Sequence, residues 1–164
     1  MKNKLDFPCN PSKVWYNTHM NNKFDFQDGN GPVPAHQHAN GGGWVADTAT
    51  VAETACIGPD ARVYDTARVF DNAQVFGDAQ VFGNAQVFGD VRLFDDARVY
   101  GKAQVYDNAR VYDTAHVYDN ARVYGDAKVF GNAQVFGDAQ VFDNAQVFGN
   151  ARVYGNARAV GKAT

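Results

Sequence analysis

The chain of 164 residues contains only two cysteines, Cys9 and Cys56. Two cysteines are too few for a disulfide scaffold and match no metal-binding spacing, so we interpret both as free thiols in a reducing compartment. The sequence also has no apolar run of about 18 residues, and its first residues lack the apolar stretch of a secretory signal. These absences predict a cytoplasmic location and no membrane partner.

An excess of positive charge is also missing, since the formal net charge is -3 and the isoelectric point is near 5.7. Proteins that bind double-stranded nucleic acid usually present a clustered positive face, so we expect no such partner. A small anionic ligand remains compatible with this charge. The length and the 45% hydrophobic content are those of a single soluble domain.

What the sequence does contain is a six-residue repeat. Its members are Ala, a long polar residue, Val, Phe or Tyr, Gly or Asp, and a small turn residue, as in residues 73–78. Counting from Val45 to Thr164 gives 20 hexads, all of which begin with Val, Ile or Leu except the one at Ala159. The alternation of Ala, a polar residue and Val predicts a short strand with Ala and Val buried. The Gly, Asp and Asn residues that follow predict a sharp corner, and three such units close a triangular coil of about 18 residues.

The spacing of an aliphatic residue and a small residue four positions later carries a family resemblance. Val75 with Ala79, Val81 with Ala85 and Val87 with Val91 follow this spacing. The repeat resembles that of hexapeptide-repeat proteins, including uncharacterised bacterial and phage members that are called transferases by fold alone. The resemblance implies a left-handed parallel β-helix. We therefore expect an all-β triangular solenoid of about seven coils over residues 44–164, with an irregular N-terminal cap over residues 1–43.

The residue after the buried Val is Phe or Tyr in 16 consecutive hexads, from Tyr64 to Tyr154. With three hexads in each coil, these rings fall into three stacks along the edges of the prism. Stacked rings about 4.8 Å apart would brace the corners. The alternative is that the stacks form an oligomer interface or a ligand surface, because soluble monomers rarely expose large apolar patches.

Candidate binding residues lie where the irregular segment meets the repeat. His36 and His38 project to one side of an extended segment, and Gly41, Gly42 and Gly43 would let backbone amides approach a phosphate before Trp44. Arg62 and Arg68 are the first of the basic residues at outward positions of the repeat. We interpret these residues either as a solvated surface or as a row that binds phosphate between subunits. We predict no metal site, because a third ligand is missing near the two histidines.

These observations favour a non-enzymatic binding or structural module. Flat prism faces predict packing around a threefold axis, and hence a homotrimer. One form of this hypothesis is a phage-encoded sponge that sequesters a small anionic, nucleotide-type ligand between subunits. A second form is a structural stalk or self-stacking filament, because the chain stops directly after its last hexad.

The family resemblance also implies an alternative, a trimeric acetyltransferase that uses acetyl-CoA and a histidine as general base. His116 is the histidine within the repeat that would fill this role. The sequence shows no orienting partner and no enclosed acceptor pocket for it, so we predict no catalytic residue and no cofactor.

Overall fold

A computed structural model describes residues 23–161. This part of the chain consists of short strands and turns and contains no helix, so no helix that could cross a membrane is present in it. The first two strands are Lys23–Phe24 (β1) and Val33–Gln37 (β2), which form an antiparallel hairpin. From β3 onward the strands pair with one another in parallel and form a β-solenoid, which confirms the predicted all-β fold class.

The 20 strands of the solenoid are two or three residues long. In chain order they are Trp44–Ala46 (β3), Thr50–Val51 (β4), Cys56–Ile57 (β5), Arg62–Val63 (β6), Arg68–Val69 (β7), Gln74–Val75 (β8), Gln80–Val81 (β9), Gln86–Val87 (β10), Arg92–Leu93 (β11), Arg98–Val99 (β12), Gln104–Val105 (β13), Arg110–Val111 (β14), His116–Val117 (β15), Arg122–Val123 (β16), Lys128–Val129 (β17), Gln134–Val135 (β18), Gln140–Phe142 (β19), Gln146–Val147 (β20), Arg152–Val153 (β21) and Arg158–Val160 (β22).

Every third strand belongs to the same sheet, so the prism has three faces. The first face contains β3, β6, β9, β12, β15, β18 and β21, the second runs from β4 to β22, and the third runs from β5 to β20. Arg62 pairs with Gln80 and Gln80 pairs with Arg98, so neighbours on a face are 18 residues apart. Twenty strands make six complete coils and two strands of a seventh, close to the predicted number. The left hand of the coil remains a prediction from the family resemblance.

The core is a ladder of the inward Ala and Val side chains. From Ala61 to Val141 these side chains are fully buried. Val91 and Leu93, which replace the usual Ala and Val of one hexad, are also fully buried in this core. Packed interiors leave little spare volume, so the inward positions admit only small changes of side-chain size.

From Asp65 to Gly155, each corner of the solenoid is made by a Gly or an Asp with a positive φ angle. Sixteen corner residues have this conformation, nine glycines and seven aspartates, all at φ values between 55° and 86°. Asp is accommodated because its carboxylate reaches the next coil: Asp113 Oδ2 accepts a hydrogen bond from the Gly131 amide at 2.9 Å. Asp65, Asp71, Asp107 and Asp119 make the same contact one coil further along. The corner therefore links neighbouring coils as well as turning the chain.

The aromatic residues form the stacks that the sequence predicts along the three edges. Consecutive rings lie nearly parallel with centroids mostly 4.8–5.0 Å apart, as for Phe82 and Tyr100 at 4.8 Å. Most of these side chains are half-buried, and those near the carboxyl end are more open, with Phe148 58% and Tyr154 61% exposed. The stacks brace the edges; the proposed role as an interface or a ligand surface remains a prediction.

The hairpin extends the first face beyond the amino end of the solenoid. Strand β2 pairs antiparallel with β3, and Phe24 stacks on Trp44 with centroids 4.4 Å apart. Phe26 and Ala35 are buried beside Tyr64 in a small second core. This segment covers the strand edge of β3, as expected of a cap. The predicted boundaries, 1–43 and 44–164, remain predictions, and residues 1–22 and 162–164 lie outside the described part.

One prediction about cysteine is wrong. Cys56 is disulfide-bonded and buried, so it is not a free thiol. Cys9 lies outside the described residues. Because disulfides persist mainly in oxidising environments, the cysteines no longer support a cytoplasmic location, which stays an untested prediction.

Candidate functional site

A groove of about 470 Å³ lies between the hairpin and the first face. This volume falls in the range of sites that hold small molecules. The hairpin supplies one wall and the outward residues of β6, β9 and β12 supply the floor. The lining residues are Phe26, Gln27, Asp28, Asn30, Arg62, Tyr64, Asp65, Gln80, Phe82 and Arg98.

Two arginines stand on the floor of the groove, on either side of Gln80. The strand register places Arg62, Gln80 and Arg98 on consecutive coils, so the two guanidinium groups are rooted roughly 10 Å apart. The Arg62 guanidinium carbon lies 5.8 Å from the Phe24 ring centroid, a distance that allows a cation–π contact. Within residues 23–161, no carboxylate forms an ion pair with either arginine.

The two aspartates of the groove are already engaged. Asp28 accepts hydrogen bonds from the backbone and side-chain nitrogens of Asn30, both at 2.9 Å, and these bonds lower the pKa of Asp28. Asp65 Oδ2 accepts a hydrogen bond from the Gly83 amide at 2.9 Å. Neither carboxylate pairs with an arginine, so within residues 23–161 the groove presents two guanidinium groups without an ion pair beside two hydrogen-bonded carboxylates.

A ring wall closes one side of the groove. Tyr64 is stacked between Phe26, at 4.9 Å, and Phe82, at 4.8 Å. Burial raises the pKa of Tyr64 to about 12, so its hydroxyl remains protonated at neutral pH. This hydroxyl lies 3.4 Å from Gln80 Oε1 and donates a long hydrogen bond to it. The bond orients the Gln80 amide and leaves its NH₂ group available as a donor beside the arginines.

The two candidate histidines have different surroundings. His36 is exposed, and its Nδ1 lies 2.8 Å from Asp47 Oδ1. His38 is buried, and its Nδ1 lies 3.1 Å from the Asn40 carbonyl oxygen. Burial lowers the pKa of His38. Neither histidine lines the groove, and residues 23–161 contain no group of three metal-ligating side chains.

The glycine segment packs against the backbone of the third face. The Gly43 amide donates to the Ile57 carbonyl at 2.9 Å, and the Gly42 amide donates to the His38 carbonyl at 3.0 Å. A Cβ atom at Gly41 would lie 2.2 Å from the Ile57 carbonyl oxygen, so this close approach requires glycine. Two of the three amides thus already have backbone acceptors, and phosphate binding by this segment remains a prediction.

The other predicted site residues do not all come together. Trp44 is the strand neighbour of Arg62 on the first face and stacks on the hairpin. Arg68 lies on the second face, so the structure separates it from Arg62.

His116 lies on the first face next to Arg98, and its ring centroid is 6.1 Å from that of Tyr100. Burial, and then the charge of Arg98, lower the pKa of His116. In the described part of the chain no carboxylate orients its ring. The role of general base therefore stays a prediction that rests on the family resemblance.

Sequence reasoning missed Arg98, Gln80 and Tyr64 as groove residues. The period of 18 residues places Arg62, Gln80 and Arg98 in one row, so this row can be predicted from the repeat. What the repeat does not contain is the hairpin that turns this part of the face into a groove. The sequence predicts a cap over residues 1–43 but not the antiparallel pairing of this hairpin.

Comparison with known proteins supports the solenoid assignment. A family model described as the YdcK beta solenoid repeat matches residues 103–119, 115–131 and 145–161. No curated protein and no solved structure matches the chain. The chain is thus similar to β-solenoid repeats, whereas the resemblance to hexapeptide-repeat transferases remains a prediction.

Proposed function

We propose that this β-solenoid repeat protein is a non-enzymatic binding module that sequesters a small anionic, nucleotide-type ligand. The observation that supports the proposal most directly is the pair of arginines in the groove, Arg62 and Arg98, neither of which has a carboxylate partner among residues 23–161. A phosphate group bound to such arginines makes charge-assisted hydrogen bonds.

The remaining groups of the groove suit the rest of such a ligand. Gln27, Asn30 and Gln80 offer amide donors and acceptors, and Phe82 and Tyr64 offer apolar ring edges. The groove is open on one side. We propose that the protein is a homotrimer and that a neighbouring subunit covers this opening, so that the ligand is held between subunits. A phage-encoded sponge would act in this way, because it needs affinity and no chemical step.

The proposal is tested first by native mass spectrometry of the purified protein. We expect a trimer that carries extra mass in the range of a nucleotide. Titration calorimetry with a nucleoside diphosphate then measures binding to the wild type, to Arg62→Gln and to Arg98→Gln. Losing one charge-assisted contact should weaken binding roughly 10- to 100-fold.

Arg152→Gln is the matched control. Arg152 lies on the same face and its guanidinium carbon also lies over a ring, 5.1 Å from the Phe136 centroid, but it is outside the groove. It should bind the nucleotide as the wild type does. No retained mass together with no heat at millimolar nucleotide, or equal losses in all three variants, would contradict the proposal.

A further inference from the structure

The third face carries a row of positive charges that the groove does not use. Its outward side chains along the prism are Cys56, Gln74, Arg92, Arg110, Lys128 and Gln146. Arg92 pairs with Arg110, and Arg110 pairs with Lys128. Three cations thus stand on consecutive strands, roughly 4.8 Å apart at the backbone. We call these three residues the basic row.

Such a row opposes the stability of the sheet, because like charges directly opposite each other on neighbouring strands repel. On the first face Gln80 separates Arg62 from Arg98, and on the second face Gln86 and Gln104 separate Arg68 from Arg122. Arg98 does adjoin His116, but the lowered pKa of His116 favours its neutral form. Among the outward strand positions of the described solenoid, the basic row is therefore the place where fully charged side chains of like sign are neighbours.

Carboxylates flank the basic row at both edges of the third face but form no direct ion pair with it in the described part of the chain. Asp90 and Asp126 precede Arg92 and Lys128 by two residues, yet no ion pair joins them within the described residues. Arg110 has the neutral Asn108 at this position. Of the corner carboxylates at the two edges of this face, Asp71, Asp107 and Asp113 accept hydrogen bonds from corner amides, and Asp95 follows the Arg92 strand.

A hydroxyl group stands beside the middle of the row. Along this edge the aromatic stack reads Phe76, Phe94, Tyr112, Phe130 and Phe148, so Tyr112 supplies its single hydroxyl. Tyr112 follows Arg110 by two residues. Burial, and then the charge of Asp113, raise the pKa of Tyr112, whereas the charge of Arg110 lowers it. The hydroxyl therefore remains protonated at neutral pH and can donate a hydrogen bond.

We propose that the third face binds a linear oligophosphate that runs along the prism axis. Its successive negative charges lie over Arg92, Arg110 and Lys128, and the Tyr112 hydroxyl donates a hydrogen bond to the central phosphate. Gln74 and Gln146 extend the strip with neutral amide donors. Stacking of a nucleobase contributes nothing here, because the faces of the edge rings are covered by their neighbours at 4.8 Å.

The test is titration calorimetry with inorganic tripolyphosphate at low salt, using the full chain. Arg110→Gln should weaken binding roughly 10- to 100-fold, and Tyr112→Phe, which keeps the ring stack, should weaken it roughly 3- to 10-fold. Arg122→Gln is the matched control, since Arg122 is an exposed arginine whose strand neighbours are Gln104 and Gln140. It should leave the affinity unchanged.

Three results would overturn the proposal: no binding at low salt, a loss in Arg122→Gln equal to that in Arg110→Gln, or an unchanged affinity in Arg110→Gln. A fourth result would also overturn it: the wild type does not bind tripolyphosphate, and Arg110→Gln has a lower native mass than the wild type. In that case the basic row would contact the acidic Asp60, Asp78 and Asp96 of a second copy of the chain.

A nucleoside triphosphate distinguishes the source of the phosphate chain. In the Arg62→Gln background, where the groove is weakened, an affinity for the nucleoside triphosphate equal to that for tripolyphosphate and lost on adding Arg110→Gln supports recognition of the phosphate chain alone. Tripolyphosphate binding that depends on Arg62 rather than on Arg110 would place the phosphate chain in the groove and overturn the proposal. Failure of nucleotide binding to the groove leaves this test intact, because the two sites share no residue.

Discussion

The corner aspartates allow a stability prediction that separates two roles of one residue. Asp113 has a φ of 57°, and its Oδ2 atom accepts a hydrogen bond from the Gly131 amide at 2.9 Å. The first feature favours Asp, Asn or Gly over other residues. The second links two coils. Three substitutions divide these contributions: Asp113→Ala, Asp113→Gly and Asp113→Asn.

The expected magnitudes follow from the geometry. Alanine loses an exposed hydrogen bond, worth about 1 kcal/mol, and also places a Cβ-bearing residue in the left-handed region, at a cost of about 1–2 kcal/mol. Asp113→Ala should therefore destabilise the protein by about 2–3 kcal/mol. Glycine loses the bond and gains freedom in the unfolded chain, so Asp113→Gly should cost about 1 kcal/mol. Asparagine keeps an acceptor and tolerates this φ, so Asp113→Asn should cost about 0.5 kcal/mol or less.

The assay is urea unfolding followed by circular dichroism, with the slope of the transition compared among variants. A common slope shows that the variants expose the same amount of surface on unfolding. This must be checked because a repeat protein can unfold in parts. The expected order of destabilisation is Ala, then Gly, then Asn. An alanine variant as stable as the wild type, or an asparagine variant as unstable as alanine, would refute this reasoning about the corners.

Two further predictions concern the ring stacks and the buried histidine. Phe82→Ala removes ring contacts with Tyr64 and Tyr100, both at 4.8 Å between centroids, and should destabilise the protein by about 1–3 kcal/mol. Phe148→Ala, at an exposed end of a stack, should cost less than half of that. Equal melting temperatures for the two variants, with an unchanged native mass, would show that the stack does not contribute to stability. Burial lowers the pKa of His38 below 6.5, so the unfolded chain binds a proton more readily than the folded one. The stability that the neutral histidine contributes is therefore present above pH 6.5 and is lost as the pH falls below this value. Urea unfolding at about pH 7 and about pH 5 should show a smaller loss of unfolding free energy in His38→Gln than in the wild type, and an identical loss would exclude this histidine as the cause.

The solenoid could be predicted from the sequence because each hexad repeats the same pattern of buried, outward and turn residues. Inward Val, outward polar residue and a Gly or Asp that tolerates positive φ specify a strand and a corner without any long-range information. The period of 18 residues then fixes the register, and with it the aromatic stacks and the rows of each face. Even the contact from Asp113 to the Gly131 amide follows from this register once the corner conformation is known.

The groove could not be predicted in the same way. It depends on an antiparallel hairpin whose position is set by contacts of Phe24 with Trp44 and of Phe26 with Tyr64, and a period does not encode such contacts. The glycine segment shows the same limit. Its glycines suggested a phosphate loop, but Gly41 and Gly43 are required where the chain passes close to the backbone of Ile57 and Gly58.

Function in this fold is best sought in the outward row of each face. The inward positions are fixed by a fully buried core, and the corners are fixed by their φ angles, so neither can vary freely. From Arg62 onward, the outward side chain of each strand is at least partly exposed and has no such constraint, and the consecutive Gln86 and Gln104 show that neutral residues are accommodated at these positions. Glutamine in place of Arg110 would remove like-charge repulsion with Arg92 and Lys128, but it would also take a cation away from Asp126, which lines the same cleft. An anion bound over the basic row would offset the repulsion and leave this balance intact, and the titration of Arg110→Gln with tripolyphosphate measures whether it does.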